Sequence, residues 1–276
     1  MPALAGRTVL VTGASTGIGR TTALMLAELG ASVLAGVRTP AAGEALGPTV
    51  RPVQLDITNP DDLAALDLTR LDGLVNNAGI AISGPLEFLP VEQLRQQLEV
   101  NVIAQLAVTQ ACLPALRNTR GRIVNISSIA GRVALPLYGP YSASKFALEA
   151  LSDSLRRELR GSGVHVSVVE PGAIATPIWD RGIAAADALW NAMPPVAHER
   201  YGTLVATLRG QAEQAAVKGE PPEAVARIVV NALTASTPCT RYVIGRDARI
   251  QALLARALPG RAMDALLAAA LKSRGS

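Results

Sequence analysis

The sequence predicts an α/β fold: a doubly wound parallel sheet of seven strands, with helices on both faces. Three observations predict it. Short apolar runs alternate with helix-length segments along all 276 residues, the pattern of repeated βα units. Aromatics are 3 % of a chain that is 49 % hydrophobic, so Ala, Val, Leu and Ile must build the core, as suits strands buried on both faces. A glycine-rich turn follows the first apolar run directly.

The elements read in order. Residues 8–12 form a strand that runs into the glycine turn. A helix over 17–29 follows, closed by Gly30. Ser32–Val37 is the second strand, and 53–55 the third, ending at Asp56. Asn59-Pro60 opens a short helix over 61–66, with Pro in its first turn. Gly73–Asn76 is the fourth strand. Residues 91–116 read as one long helix, apolar on more than one face and so largely buried. Arg122–Ile126 is the fifth strand. A long helix over 141–160 is closed by Gly161. Residues 164–169 are the sixth strand, cut off by Pro171-Gly172. A helix over 224–233 and a seventh strand, Arg241–Ile244, complete the unit.

One domain is expected over 1–276. Residues 173–222 are the least regular, with five prolines and both tryptophans, and read as a flexible flap over a site. Residues 247–276 read as a C-terminal extension of short amphipathic helices.

Composition excludes several classes. The formal charge of +4 is scattered rather than clustered, and nothing interleaves arginine with aromatics, so no nucleic-acid partner is expected. Cys112, Cys239, His165 and His198 stand in no metal-binding spacing. His165 reads as structural within an apolar run. Two separated cysteines suit a reduced, cytoplasmic protein. No signal peptide is read at the N-terminus, and no uninterrupted apolar run reaches the roughly 18 residues of a membrane span.

Two sequence features carry chemistry. Gly13-Ala14-Ser15-Thr16-Gly17-Ile18-Gly19 lies between a strand and a helix. Glycine lets backbone approach a phosphate, and the helix N-terminus offers free N–H groups to an anion. Tyr141 and Lys145 are four apart at a helix start, hence on one face. A free tyrosine titrates near about 10, and an adjacent ammonium is expected to lower that value. The pair alone is common on helices; it gains weight from Ser127-Ser128, which end the fifth strand at the same sheet edge. Asn101 sits mid-helix, where asparagine is disfavoured, as a kink, a packing residue or a functional group.

Those segments, together with Asp56, Asn76-Asn77-Ala78-Gly79 and Pro171-Gly172 with Thr176, resemble the short-chain dehydrogenase/reductase family over roughly the first 245 residues. The resemblance implies a Rossmann-type dinucleotide fold and an oxidoreductase of CH–OH groups. It implies an Asn101, Ser128, Tyr141, Lys145 catalytic set. Tyr141 moves the proton, Ser128 holds the substrate oxygen, and Asn101 holds a water that links Lys145 to solvent. Around the cofactor it implies Gly13, Ser15, Thr16, Gly17, Ile18 and Gly19 at the phosphates, and Asp56 and Ile57 at adenine. Asn77, Ala78 and Gly79 fall beside the dinucleotide, Tyr141 and Lys145 at the nicotinamide ribose, and Pro171, Gly172, Ile174 and Thr176 over the nicotinamide. Asp56 could instead cap the helix that follows it. The resemblance also implies a homodimer or homotetramer.

Cofactor choice has a physical argument. NAD sites present a carboxylate at the end of the second strand. Here that place falls to Val37, followed by Arg38, whose guanidinium can hold a 2′-phosphate. NADP(H) is therefore favoured over NAD(H), with adenine stacking as the other role open to Arg38. The segments from Gly139 to Trp179 and from Tyr242 to Ala248 resemble the retinol and hydroxysteroid dehydrogenase branch, which also carries an added C-terminal segment. That points to a lipophilic alcohol or carbonyl as the small-molecule substrate, for which the apolar flap residues Ile174, Ile178, Trp179, Ile183, Leu189, Trp190 and Met193 are either a lining or the packing of the flap onto the body.

Overall fold

Alternation of side chains sorts the strands before any packing is considered. In β1 (Thr8–Val11), Val9 and Val11 point to one face and Leu10 to the other. The first face collects Val33, Ala35, Val124 and Val169 with Ala23, Leu26, Val225 and Val229. The second collects Leu34, Leu74 and Ile123 with Val108, Cys112 and Leu116. Both sides of each central strand are thus apolar, as a parallel sheet under two helical layers requires.

The computed structural model describes residues 4–272. After β1 come α1 (Gly17–Glu28), β2 (Ser32–Val37), α2 (Pro40–Glu44), β3 (Arg51–Gln54), α3 (Pro60–Ala64) and β4 (Gly73–Asn76). Next are α4 (Val91–Leu98), a π-helical turn at Glu99–Ile103, α5 (Ala104–Thr119), β5 (Arg122–Ile126), a 3-10 turn at Ile129–Gly131, and α6 (Gly139–Glu158). The chain ends through β6 (His165–Pro171), α7 (Ile178–Asn191), α8 (Pro195–Lys218), α9 (Pro222–Thr234), β7 (Arg241–Ile244), α10 (Arg246–Ala257) and α11 (Gly260–Lys272). The seven strands are all parallel, in the order β3-β2-β1-β4-β5-β6-β7. Strand order reverses between β1 and β4, which opens a crevice at their C-terminal ends.

Four expectations need correction. Residues 173–222, read as irregular, are mostly the two helices α7 and α8; their prolines sit at first turns and caps, where the missing N–H costs nothing. The long helix is interrupted at Glu99–Ile103 and is not largely buried, since Val91 and Ile103 are more than half exposed. His165 is exposed at the start of β6 rather than embedded in its apolar run. The short helix α2 was not foreseen. Residues 273–276 of the expected C-terminal extension lie outside the described residues.

The Val91–Thr119 helix is long and apolar enough to cross a membrane by length and composition, with 44 % of its most apolar window buried. In this fold polar side chains at every fourth position bind it to the end of β4 and the segment that follows. Gln97 accepts from Ile82 N at 2.7 Å, and Asn101 from Ile80 N at 2.9 Å. Gln105 Nε2 donates to Ala78 O at 2.8 Å, and Thr109 Oγ1 accepts from Asn76 Nδ2 at 2.9 Å. Spacing of four keeps all four on one helix face.

Candidate active site

Three loops at the sheet's C-terminal edge meet around the N-terminus of α1. In the turn after β1, Gly13 and Gly17 have positive φ, 63° and 54°, which side chains rarely adopt. A Cβ at Gly13 would lie 2.8 Å from Ala78 Cα, and one at Gly17 would lie 3.1 Å from Thr176 Cβ. One at Gly19 would collide with the Gly13 carbonyl and the Asn77 amide. The turn is thus pressed between the loop after β4 and the segment after β6. Thr16 flanks α1 without a side-chain cap, and the first turn holds no carboxylate. Backbone donors and a positive helix end therefore face outward together, which fits the phosphates of a dinucleotide.

The predicted cofactor residues divide by role. Thr12 Oγ1 accepts from the N–H groups of Asn77 and Ala78, each at 3.0 Å. Asn77 Nδ2 donates to the carbonyls of Thr12 and Gly13 at 3.0 and 3.2 Å. Asn77 and Ala78 thus buttress the glycine turn, and Gly79 packs against the Asn101 amide. Ser15 is half-buried in the turn, while Ile18 packs its side chain onto the core. Ile57 is likewise buried in the core. Asp56 Oδ1 accepts from the N–H and hydroxyl of Thr58 at 3.0 and 2.7 Å. These bonds hold its carboxyl below the usual range, with a smaller contribution from the Arg38 charge. Asn59, not Asp56, caps α3. Arg38 is exposed beyond the end of β2 and makes no ion pair among the described residues.

Beyond β6, Gly172 N donates to Ile244 O at 2.9 Å, and Ile174 is buried. Ala173 O and Ala175 N both bond Glu220, which pins this segment to the end of α8. Pro171 ends β6 and is buried, and Thr176 rests against Gly17.

The second cluster stands on α6. Lys145 is buried and donates from Nζ to Ile126 O at 2.9 Å. Its Nζ lies 5.6 Å from the centroid of the Tyr141 ring. Burial pushes Lys145 down to about 8, opposed by the charge of Glu149. Tyr141 departs from expectation. Burial pushes its phenol up, the Ser128 hydroxyl pulls it down, and the neighbouring Tyr138 pushes it up again. The ammonium does not govern the phenol here because it is turned to a carbonyl and the ring is desolvated. Ser128 Oγ accepts from Ala130 N at 3.1 Å, which orients the loop after β5. Asn101 is fully buried in the π-turn. Its Nδ2 donates to Ile80 O at 2.9 Å and to Ser144 Oγ at 3.1 Å, and Ser144 Oγ donates to Tyr141 O at 2.7 Å. The π-turn supplies the irregularity expected where a functional side chain must be re-aimed.

A largely apolar cleft opens beyond Tyr138, lined by Leu137, Ile183, Trp190, Met193 and Leu208 with the Asp187–Arg209 ion pair on its wall; Ser128, Tyr141 and Lys145 do not line it. Ile183, Trp190 and Met193 of the predicted apolar set line it. Trp179 instead donates its indole N–H to Ile174 O at 2.8 Å. Sequence reasoning missed Gln97 and Gln105, which the four-residue spacing with Asn101 could have revealed. It also missed Arg181, whose Nη2 donates to the Thr16 hydroxyl of the glycine turn at 3.0 Å and for which no local signal exists. Among the described residues no cluster of His, Cys, Asp or Glu could hold a metal. Cys112 is a core thiol pushed up to about 12 by burial.

A glycine turn suited to a phosphate at the strand-order reversal, with a Tyr–Lys pair on the helix after β5, is the arrangement of a dinucleotide-dependent oxidoreductase. The chain belongs to the short-chain dehydrogenase family, whose model, described as short chain dehydrogenase, matches residues 7–185. It is 40 % identical over 253 residues to a 3-amino-tetrahydro-pyrrolizinone reductase of Xenorhabdus hominickii, covering 88 % of each chain. It is also 40 % identical over 277 residues to mouse (Mus musculus) retinol dehydrogenase 5, covering 94 % of this chain and 87 % of that one. A short chain dehydrogenase from Burkholderia cenocepacia in complex with NADP aligns with a TM-score of 0.76 at 31 % identity, covering 97 % of this chain and 99 % of that one. A short chain dehydrogenase/reductase from Burkholderia phymatum in complex with NAD aligns with a TM-score of 0.77 at 26 % identity, covering 92 % and 94 %.

Proposed function

We propose that this chain is an NADP(H)-dependent oxidoreductase that moves a hydride between nicotinamide and the carbonyl or alcohol carbon of a lipophilic small molecule. Tyr141 is the general acid and base. The observation that carries this reading is the convergence of Tyr141, Ser128 and the buried Lys145, with a largely apolar cleft opening beyond Tyr138. As a carbonyl carbon is reduced, its oxygen gains negative charge and needs a proton, which the Tyr141 hydroxyl donates. Ser128 Oγ orients that oxygen by hydrogen bonding. Lys145 supplies positive charge near the phenol, and Asn101 holds the first turn of α6 through Ser144.

The cofactor roles follow the same reading. Gly13, Ser15, Thr16, Gly17, Ile18 and Gly19 would hold the diphosphate, and Arg38 the 2′-phosphate. Asp56 and Ile57 would border adenine through their backbone and turn. Asn77, Ala78 and Gly79 would flank the dinucleotide, Tyr141 and Lys145 the nicotinamide ribose, and Pro171, Gly172, Ile174 and Thr176 the nicotinamide. The NADP-bound relative supports the 2′-phosphate reading, and the NAD-bound one stands against treating it as general.

The substrate reading draws support from the cleft lining and from similarity to a retinol dehydrogenase. The test is a panel of apolar and polar carbonyls and alcohols with both cofactors, followed by nicotinamide absorbance. Turnover of apolar compounds, faster with NADPH than NADH, is expected. No turnover with either cofactor would sink the catalytic reading, and equal rates would remove the NADP(H) preference. The same reading places the protein in the cytoplasm as a homodimer or homotetramer. Exposed Ile103, Leu106, Phe146 and Leu151 support an assembly, which light scattering tests; cell fractionation tests the location.

A further inference from the structure

Behind the active site lies a set of partly buried charges that the proton-transfer scheme does not use. Glu170 is fully buried and receives both Nε and Nη2 of Arg132, at 2.6 and 2.8 Å. Arg241 Nε lies 3.2 Å from Glu170 and donates to Glu149 Oε2 at 3.0 Å. Arg241 Nη2 reaches Asp153 at 2.9 Å, and Arg156 reaches the same carboxylate at 3.0 Å. These groups come from α6, β6, β7 and the turn after β5. Arg132 is four residues past Ser128, and Glu170 immediately precedes Pro171-Gly172. The network therefore ties together the segments that form three sides of the site.

Glu149 is its member nearest Lys145 along α6. It is one helical turn beyond Lys145, on the same face of α6. Burial pushes its carboxyl up and the nearby Ser127 hydroxyl pulls it down, with the Glu170 charge raising it and Arg241 lowering it; its Oε1 and Ser127 Oγ are both buried. The space between them is kept open by Gly131: a Cβ there would lie 3.1 Å from Glu149 Cγ, 3.1 Å from Ser127 Oγ and 3.2 Å from the Lys145 carbonyl. Lys145 meanwhile has only a neutral carbonyl as its hydrogen-bond partner, and makes no ion pair among the described residues. A buried ammonium without compensation is costly and gives up its proton. The charges acting on Glu149 are Glu170 from β6 and Arg241 from β7, while the Tyr141 ring lies by Lys145 and Arg132, Asp153 and Tyr138 stand one contact further out. Of these carboxylates, Glu149 alone is one turn from Lys145.

We propose that Glu149 is a positioning residue for the reaction, the counter-charge that keeps Lys145 in its ammonium form and so sets the pH at which the Tyr141–Lys145 pair exchanges protons. Arg241, Glu170 and Arg132 hold it in place. The influence of Glu149 on Lys145 acts in that direction. This inference rests on Tyr141 and Lys145 as the proton-transfer pair, a reading tested separately by removal of the phenol.

The experiment compares pH profiles of kcat/KM, from about pH 5 to about pH 11, for the wild type, Glu149→Gln and Glu149→Asp. It adds a phenolate absorbance titration of the unliganded proteins, with Tyr141→Phe subtracted. Loss of a negative charge favours deprotonation of both partners. The alkaline fall of the Glu149→Gln profile for carbonyl reduction should therefore move to lower pH by about one unit, and the phenolate titration should move with it. Glu149→Asp keeps the charge and should restore most of the profile. A purely structural role would lower the rate or the melting temperature without moving the fall. If Glu149→Gln does not fold, Glu149→Gln/Arg241→Gln removes the pair together, and the fall should still move down by a smaller step. A fall and a titration that both stay in place in a folded variant overturn the proposal.

Discussion

Arg181 Nη2 donates to the Thr16 hydroxyl at 3.0 Å, linking helix α7 to the glycine turn across 165 residues of chain. Arg181 Nε donates to Pro177 O at 3.2 Å, which holds the guanidinium at the start of α7. No carboxylate accompanies it: Arg181 makes no ion pair among the described residues, and the first turn of α1 is free of acid. A cation and a helix N-terminus placed together await an anion. Arg181→Met should weaken NADP(H) and NAD(H) binding alike, by roughly tenfold, as expected for one hydrogen bond to a charged group. Fluorescence titration at low and high salt checks it. Unchanged affinity at low salt would show that Arg181 only fastens α7.

Tyr141→Phe removes only the hydroxyl and keeps the ring that packs at the site. Turnover should fall by roughly a hundredfold to ten-thousandfold, the usual worth of a general acid, while cofactor affinity stays near wild type. Retained activity would refute the assignment of the proton donor.

Arg38→Asp places a carboxylate at the end of β2, next to Asp56. It should repel a 2′-phosphate and turn the preference toward NAD(H). Loss of a charged hydrogen bond is worth about 2 kcal/mol, or roughly thirtyfold in the affinity ratio. Paired dissociation constants for NADPH and NADH are the measurement. A ratio that does not move would assign Arg38 to solvent or to adenine stacking.

The pH dependence follows from two opposite shifts. Burial pushes Lys145 down to about 8, so the ammonium is present below that value and lost above it. Burial pushes the Tyr141 phenol up, so it keeps its proton at neutral pH. Carbonyl reduction needs the protonated phenol beside the ammonium. Its kcat/KM should therefore be flat on the acid side and fall as pH rises through about 8. A rate that instead climbs through that range would show that the lysine acts as a neutral amine.

Much of the fold could be read along the chain. The second, fourth, fifth and seventh strands carry the boundaries that apolar patterning and turn residues assigned them. Local chemistry sufficed there because a buried parallel strand must be a short apolar run and its exit must be a turn. The α7–α8 segment was misread because its prolines mark helix starts, which only the cap geometry distinguishes from irregular chain. The candidate site was legible to the same extent. Gly13, Gly17, Tyr141 and Lys145 stand at spacings that local geometry imposes on a turn or a helix face.

What the chain by itself determined is therefore the architecture and the residue types at the sheet edge, since both depend on neighbours within a few positions. The tertiary structure decided the rest. It turned Lys145 toward Ile126 and left burial to raise the phenol. It made Asn77 a buttress of the glycine turn, brought Arg181 to Thr16, and set Arg132, Glu149, Glu170 and Arg241 into one buried network. The reason is that desolvation and charge act through space, between groups that sequence order does not pair.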